Sequence, residues 1–215
     1  MYSTMLEAAS VILSFGGSGA SAREVVELDL WTWRSRVLRR DMPPRSGHVA
    51  GHREGLTILA GGGNGNATTV PLLYDGHSFR EAVRPPEVVQ RMLETNNVGG
   101  VGGVIGGHFY FCGGASEALV LSTACYVYAF DEDAWSRLAQ DMPHGKLYAT
   151  AAVYKDALYI LGGSGHGGDV EQTVLRFNAT TGAWSVPLRR HYSKLVHSWN
   201  RTCTTEALLK ELQNL

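Results

Sequence analysis

The chain has 215 residues and a mass of 23.3 kDa, enough to bury a sizeable core as one domain or two small ones, and too large for a disulfide-stapled miniprotein. Nineteen Lys and Arg against twenty Asp and Glu leave a net charge of -1 with no basic block, which argues against a broad electrostatic grip on nucleic acid or on an anionic membrane. Hydrophobic residues at 44% and charged ones at 18% describe a folded protein and exclude a disordered one, and the 26 glycines, well above the average of about 7%, call for a positional explanation.

Taken in chain order, the predicted elements repeat. The stretch Val11-Ile12-Leu13-Ser14-Phe15 reads as a short strand and ends in Gly16-Gly17. A second strand, Val26-Glu27-Leu28-Asp29, leads to Trp31 and Trp33, and the unit closes with Asp41-Met42-Pro43. An inner small-residue run near residue 48 precedes Leu56-Thr57-Ile58-Leu59-Ala60 and Gly61-Gly62, followed by Leu72-Leu73-Tyr74-Asp75 and Phe79. Residues 84–97, with Pro85-Pro86 and then Val88, Val89, Met92 and Leu93, read as an insertion with one amphipathic helical piece. Phe109-Tyr110-Phe111-Cys112 runs into Gly113-Gly114, then Tyr126-Val127-Tyr128-Ala129-Phe130-Asp131, Trp135 and Asp141-Met142-Pro143. The last unit has Ala149-Thr150-Ala151-Ala152-Val153-Tyr154, then Leu158-Tyr159-Ile160-Leu161 before Gly162-Gly163, then Val174-Leu175-Arg176-Phe177-Asn178 and Trp184. Successive glycine pairs are 45, 52 and 49 residues apart, the period of propeller blades. Each unit therefore predicts four strands: an inner strand, the diglycine strand, a strand ending in Asp or Asn, and an aromatic strand. Past residue 190 the repeat stops, and Thr205-Glu206 followed by Leu208, Leu209, Leu212 and Leu215 predicts a helix over 205–215 that covers an edge.

Diglycine, Tyr/Phe-Asp, Trp and Met-Pro in this fixed order resemble the kelch repeat over roughly residues 2–190. The resemblance implies an all-β, kelch-type β-propeller of about four four-stranded blades, near 2–42, 48–84, 98–140 and 147–188, with residues 191–215 as a non-repeat tail. Four blades are few for a kelch propeller, which leaves open a truncated or split propeller, a compact four-bladed ring, and an open array completed by a second copy or a partner chain. Glycine pairs Gly16-Gly17, Gly61-Gly62, Gly113-Gly114 and Gly162-Gly163 are expected to be structural, as are Trp31, Trp33, Trp135 and Trp184 filling the space above them. Asp29, Asp75 and Asp131 are expected to cap the turns after their strands.

Functional candidates follow from position in the repeat. In kelch adaptors, loops after the diglycine and before the inner strand form one rim that binds protein partners. The resemblance carries that role to Arg45 and Ser46, to His144 and Lys146, and to the post-diglycine residues Asn64, Asn66, Ser116, Glu117, His166 and Asp169. Arg45 is expected to project into solvent and fork an acidic group. The expected function is a non-enzymatic protein-interaction module, with a scaffold or ubiquitin-ligase substrate-receptor role implied by the family alone. The alternatives are a propeller enzyme acting on sugars, like sialic-acid mutarotases or galactose oxidases, and a truncated product without function.

Other motifs carry less. Gly163-Ser164-Gly165-His166-Gly167-Gly168 matches a dinucleotide fingerprint in letters, yet β-rich sequence follows it where a helix should hold the pyrophosphate. His48 and His52 are about 13 Å apart if they share a strand, too far for one ion. No cofactor and no metal are expected, and no catalytic constellation is found. Cysteines 112, 125 and 203 are odd in number with no CxxC, so a reducing, cytoplasmic setting is expected, with Cys112 and Cys125 as free thiols on neighbouring strands. The N-terminal segment lacks a basic start and carries Glu7 ahead of its apolar run, unlike a signal peptide. The sequons at Asn66, Asn178 and Asn200 matter only in a secreted chain.

Overall fold

The computed structural model describes residues 4–8, 10–63, 70–83, 98–116, 120–165, 168, 170 and 173–188. The helices expected in 84–97 and 205–215 lie outside those residues, as do Asn64, Asn66, Glu117, His166 and Asp169.

Among the described residues, sixteen strands form four antiparallel sheets, each with its strands in chain order. Sheet 1 holds β1 (Thr4–Ala8), β2 (Val11–Phe15), β3 (Val25–Asp29) and β4 (Ser35–Arg39); sheet 2 holds β5 (Ser46–Arg53), β6 (Leu56–Gly63), β7 (Leu72–Tyr74) and β8 (Phe79–Glu81). Sheet 3 holds β9 (Val98–Ile105), β10 (His108–Ala115), β11 (Cys125–Ala129) and β12 (Ala134–Arg137); sheet 4 holds β13 (Thr150–Tyr154), β14 (Ala157–Leu161), β15 (Val174–Asn178) and β16 (Ala183–Leu188). The expected all-β architecture of four four-stranded units is what the chain adopts.

Both faces of a middle sheet are apolar because each packs against a neighbour. Phe15, Val25 and Met42 of the first unit meet Leu59, Leu72 and Tyr74 of the second. Ile58, Ala60 and Leu73 meet Phe109, Phe111, Tyr126, Tyr128 and Trp135, and beyond them Tyr110, Cys112 and Val127 meet Leu158, Ile160, Leu175 and Phe177. Among the described residues, the chief contacts between inner strands join β1 to β5, β5 to β9 and β9 to β13, and no comparable contact joins β13 to β1. Close packing needs small residues on these strands. A Cβ on Gly51 of β5 would lie 2.3 Å from the Phe109 ring, closer than any neighbour tolerates.

The aromatic strand explains two corrections. Trp135 lies opposite Tyr128 and Trp184 opposite Phe177, and the same register puts Phe79 opposite Tyr74, but Ser35 opposite Leu28. Trp31 and Trp33 therefore fall in the β3–β4 turn, 84% and 74% exposed, and do not pack in sheet 1. In the same frame Asp29, Asp75 and Asn178 hold the turn-capping position: each accepts hydrogen bonds from two backbone N–H groups of its turn, at 2.7–3.0 Å. In sheet 3 that position is Ala129, so Asp131 lies two residues further on and instead takes both oxygens to Arg53 of sheet 2 at 2.9 Å. Arg80 of sheet 2 likewise reaches Asp133 at 3.0 Å.

Cys112 and Cys125 face each other across β10 and β11 with Cα atoms 4.1 Å apart and form a disulfide, where free thiols were expected. Direct opposition in a closely spaced antiparallel pair is the physical reason. The argument for a reducing compartment thereby loses two of its three cysteines. No helix among the described residues is long and apolar enough to cross a membrane.

Candidate interaction rim

Among the described residues, the turn after a diglycine strand meets the segment leading into the next inner strand, Gly17 N–H donating to Arg45 O and Gly114 N–H to Lys146 O. All eight glycines of the four pairs have positive φ, from 60° to 141°, a region where an L side chain is strained. Their second function is close approach. A Cβ on Gly16 would sit 2.5 Å from the Arg45 carbonyl oxygen and 2.7 Å from Met42 Cε; on Gly113, 2.9 Å from both the Lys146 carbonyl oxygen and Met142 Cε. The Met-Pro element of the repeat thus places a buried methionine on its own unit's glycine pair.

Arg45 and Lys146 are not rim contacts. Arg45 is 2% exposed and Lys146 is 0% exposed. The Arg45 backbone joins sheet 1, accepting from Gly17 N–H at 3.1 Å and donating to Ala22 O at 3.3 Å, while its guanidinium enters sheet 2 and donates to Val70 O at 2.8 Å and Leu59 O at 3.4 Å. Lys146 repeats the device one junction on from β9. Its carbonyl accepts from Gly114 N–H of sheet 3 at 3.0 Å, and its Nζ donates to Gly162 O and Thr173 O of sheet 4, both at 2.9 Å. A basic residue ahead of each of these two inner strands is thereby drawn inward by backbone carbonyls of the following sheet, whose buried acceptors it helps to satisfy. The equivalent position between sheets 2 and 3 falls within 84–97, outside the described residues.

Burial, more than Arg45, sets the state of the neighbouring His48. Burial, with the Arg45 charge beside it, pushes the His48 imidazole down to about 3, so His48 is neutral in the folded protein, while burial lowers the Arg45 guanidinium to about 10 and leaves it charged at neutral pH. His52 takes a separate partner, its Nδ1 lying 3.0 Å from Thr57 Oγ1, and among the described residues no three His, Cys, Asp or Glu side chains gather as metal ligands would.

The remaining described candidates are half-buried and engaged. Ser46 Oγ donates to Gly63 O at 3.4 Å, Ser116 N–H donates to Val120 O at 3.2 Å, and His144 Nε2 lies 2.9 Å from Thr173 Oγ1. Among the described residues, the loops of sheets 3 and 4 show three exposed apolar side chains on this rim, Val120 at 61%, Tyr148 at 46% and Val170 at 75% exposure, one on each of three successive loops. The described residues of these loops are tied by backbone hydrogen bonds. Leu147 and Ser164 exchange backbone hydrogen bonds at 3.0 and 2.8 Å, Ser164 also bridges to Val170, and Tyr148 N–H donates to Gly99 O at 2.9 Å. That last bond holds Tyr148 at a φ of 53°, a strained conformation for a non-glycine residue and the kind that recurs at ligand-contacting positions. The signal in the sequence is an apolar residue set off from the strand alternation, as in Gly168-Asp169-Val170.

A scan of the chain against protein-family models finds no match, and a search of curated proteins finds none either.

Proposed function

We propose that the chain is a kelch-type propeller segment acting as a protein-interaction module, and that its contact surface is the apolar edge formed by Val120, Tyr148 and Val170. The observation that carries this reading is the combination of three exposed apolar side chains with backbone hydrogen bonds at or beside each of them, since a preorganised apolar surface binds without a large ordering cost. In this reading Arg45 and Lys146 support the rim from below and do not touch the partner. The kelch assignment rests on the recurring diglycine, aromatic and Met-Pro elements and on four sheets with strands in chain order.

The test is quantitative affinity capture with the wild type, with Val120→Asp/Tyr148→Ser/Val170→Asp, and with Trp31→Ser/Trp33→Ser at the opposite end of the sheets. Loss of the same captured proteins in the rim variant alone is expected. Equal recovery by all three chains would refute the rim as the contact surface.

A further inference from the structure

Among the described residues, two sheet faces of different kinds are left uncovered. At each internal junction one sheet presents its aromatic-strand face to the sheet before it: Tyr74 and Phe79 towards sheet 1, Tyr128 and Trp135 towards sheet 2, Phe177 and Trp184 towards sheet 3. By alternation along the strands, sheet 1 leaves that face open, with Ile12, Val26 and Leu28 half-buried and Val37 40% exposed, none of them in a core cluster. Sheet 4 leaves open the opposite kind of face. It contains a groove of about 260 Å³ lined by Tyr154, Lys155, Asp156, Tyr159, Arg176 and Asn178. Two cations lie on tyrosine rings there, Lys155 Nζ 5.3 Å from the Tyr154 centroid and Arg176 Cζ 5.9 Å from that of Tyr159.

The internal junctions also show what such a groove receives. Two residues past the turn-capping position, His77 O accepts from Arg39 of the preceding sheet, and Asp131 pairs with Arg53 of the preceding sheet. The same position in sheet 1 is Trp31, and the next-but-one, equivalent to Asp133, is Trp33. Register makes Tyr154 of sheet 4 the counterpart of Arg53, since each closes the inner-strand pairing, Tyr154 opposite Ala157 and Arg53 opposite Leu56. The two exposed tryptophans thus occupy the positions that reach a preceding sheet, and the tyrosine- and cation-lined groove occupies the place they would reach. Indole faces against guanidinium and ammonium groups are a favourable match.

We infer that two copies of this chain associate head to tail, with Trp31 and Trp33 of each copy seated in the Tyr154–Arg176 groove of the other. Such a contact is heterologous, and two of them close a ring of eight sheets, within the range of about four to eight blades that propellers adopt.

Sedimentation equilibrium of the full chain is expected to give twice the 23.3 kDa chain mass, and a wild type that stays monomeric through the micromolar range overturns the inference. Trp31→Ala/Trp33→Ala alters only exposed turn residues and is expected to weaken association at least tenfold with unchanged circular dichroism, as is Arg176→Glu. Lys155→Glu, at an exposed position, serves if Arg176→Glu does not fold. Mixing the tryptophan variant with the groove variant is expected to restore dimer, because the mixed pair keeps one intact junction. No recovery on mixing, full dimer in either variant alone, or polymers that grow without limit as concentration rises would each contradict a closed head-to-tail pair.

Discussion

Replacing Lys146 by Met separates the support role of this residue from a partner-contact role. Methionine keeps most of the aliphatic stem and its volume, so the change removes the ammonium and little packing. The ammonium is fully buried and makes two hydrogen bonds of 2.9 Å, to Gly162 O and Thr173 O. Once it is gone, the Gly162 carbonyl is left in the interior, and a buried unsatisfied acceptor costs about 1–3 kcal/mol. The half-buried Thr173 carbonyl has water within reach and contributes less. Relief of the ammonium's own burial acts in the opposite direction but restores nothing to the two carbonyls. A net loss of about 2–3 kcal/mol is expected, which in a domain of this size lowers Tm by roughly 4–12 °C. Urea unfolding followed by circular dichroism reads the midpoint, with an unchanged m-value marking a stability change in a native-like fold. Wild-type midpoint and Tm in Lys146→Met would refute the reasoning and return Lys146 to the solvent-facing rim.

Three further outcomes are expected. His48 is held neutral by burial and by Arg45, so its folded pKa of about 3 lies below the ordinary 6.5. Stability from this group is complete above pH 6.5 and declines as pH falls towards 3, by up to about 1.4 kcal/mol per unit. The difference in unfolding free energy between wild type and His48→Gln should shrink across that window, and a pH-independent difference would show that His48 titrates normally. Gly113→Val forces a side chain onto a φ of 68° and within 2.9 Å of the Lys146 carbonyl oxygen, for an expected loss of about 2–4 kcal/mol; a wild-type urea midpoint would contradict it. Reduction of Cys112–Cys125, separated by 13 residues, should cost about 2–3 kcal/mol on chain-entropy grounds, and identical urea curves with and without reductant would contradict that.

The architecture was legible because its signals are local and repeated. Each glycine pair marks a positive-φ bend at the end of an apolar run, and four such marks at a blade-like period predict four units. The site was less legible. Arg45 stands between a Pro pair and Ser46-Gly47, a context that reads as an exposed loop. Its burial depends on the carbonyls of Leu59 and Val70, 14 and 25 residues downstream, which converge only once sheet 2 has formed. Lys146 is hidden for the same reason. Trp31 and Trp33 misled in the other direction. The β3–β4 turn has the same span as its counterparts in sheets 3 and 4, but Trp31 and Trp33 stand four and two residues ahead of Ser35, which holds the strand position of Trp135 and Trp184, and only the pairing of Leu28 with Ser35 reveals it. Asp131 is likewise offset, two residues past the Ala129 position. Spacing along the chain predicts strands well, and register across a turn decides which side chain faces where.

Arg45 and Lys146 are internal supports beneath the rim and no part of its outer surface. Amine-selective acylation of the native chain, read residue by residue by mass spectrometry, tests this most directly at Lys146, whose Nζ is enclosed by the Gly162 and Thr173 carbonyls. The predicted result is protection of Lys146 in the native protein and ready modification after unfolding in urea; modification at the same rate in both states would contradict the claim.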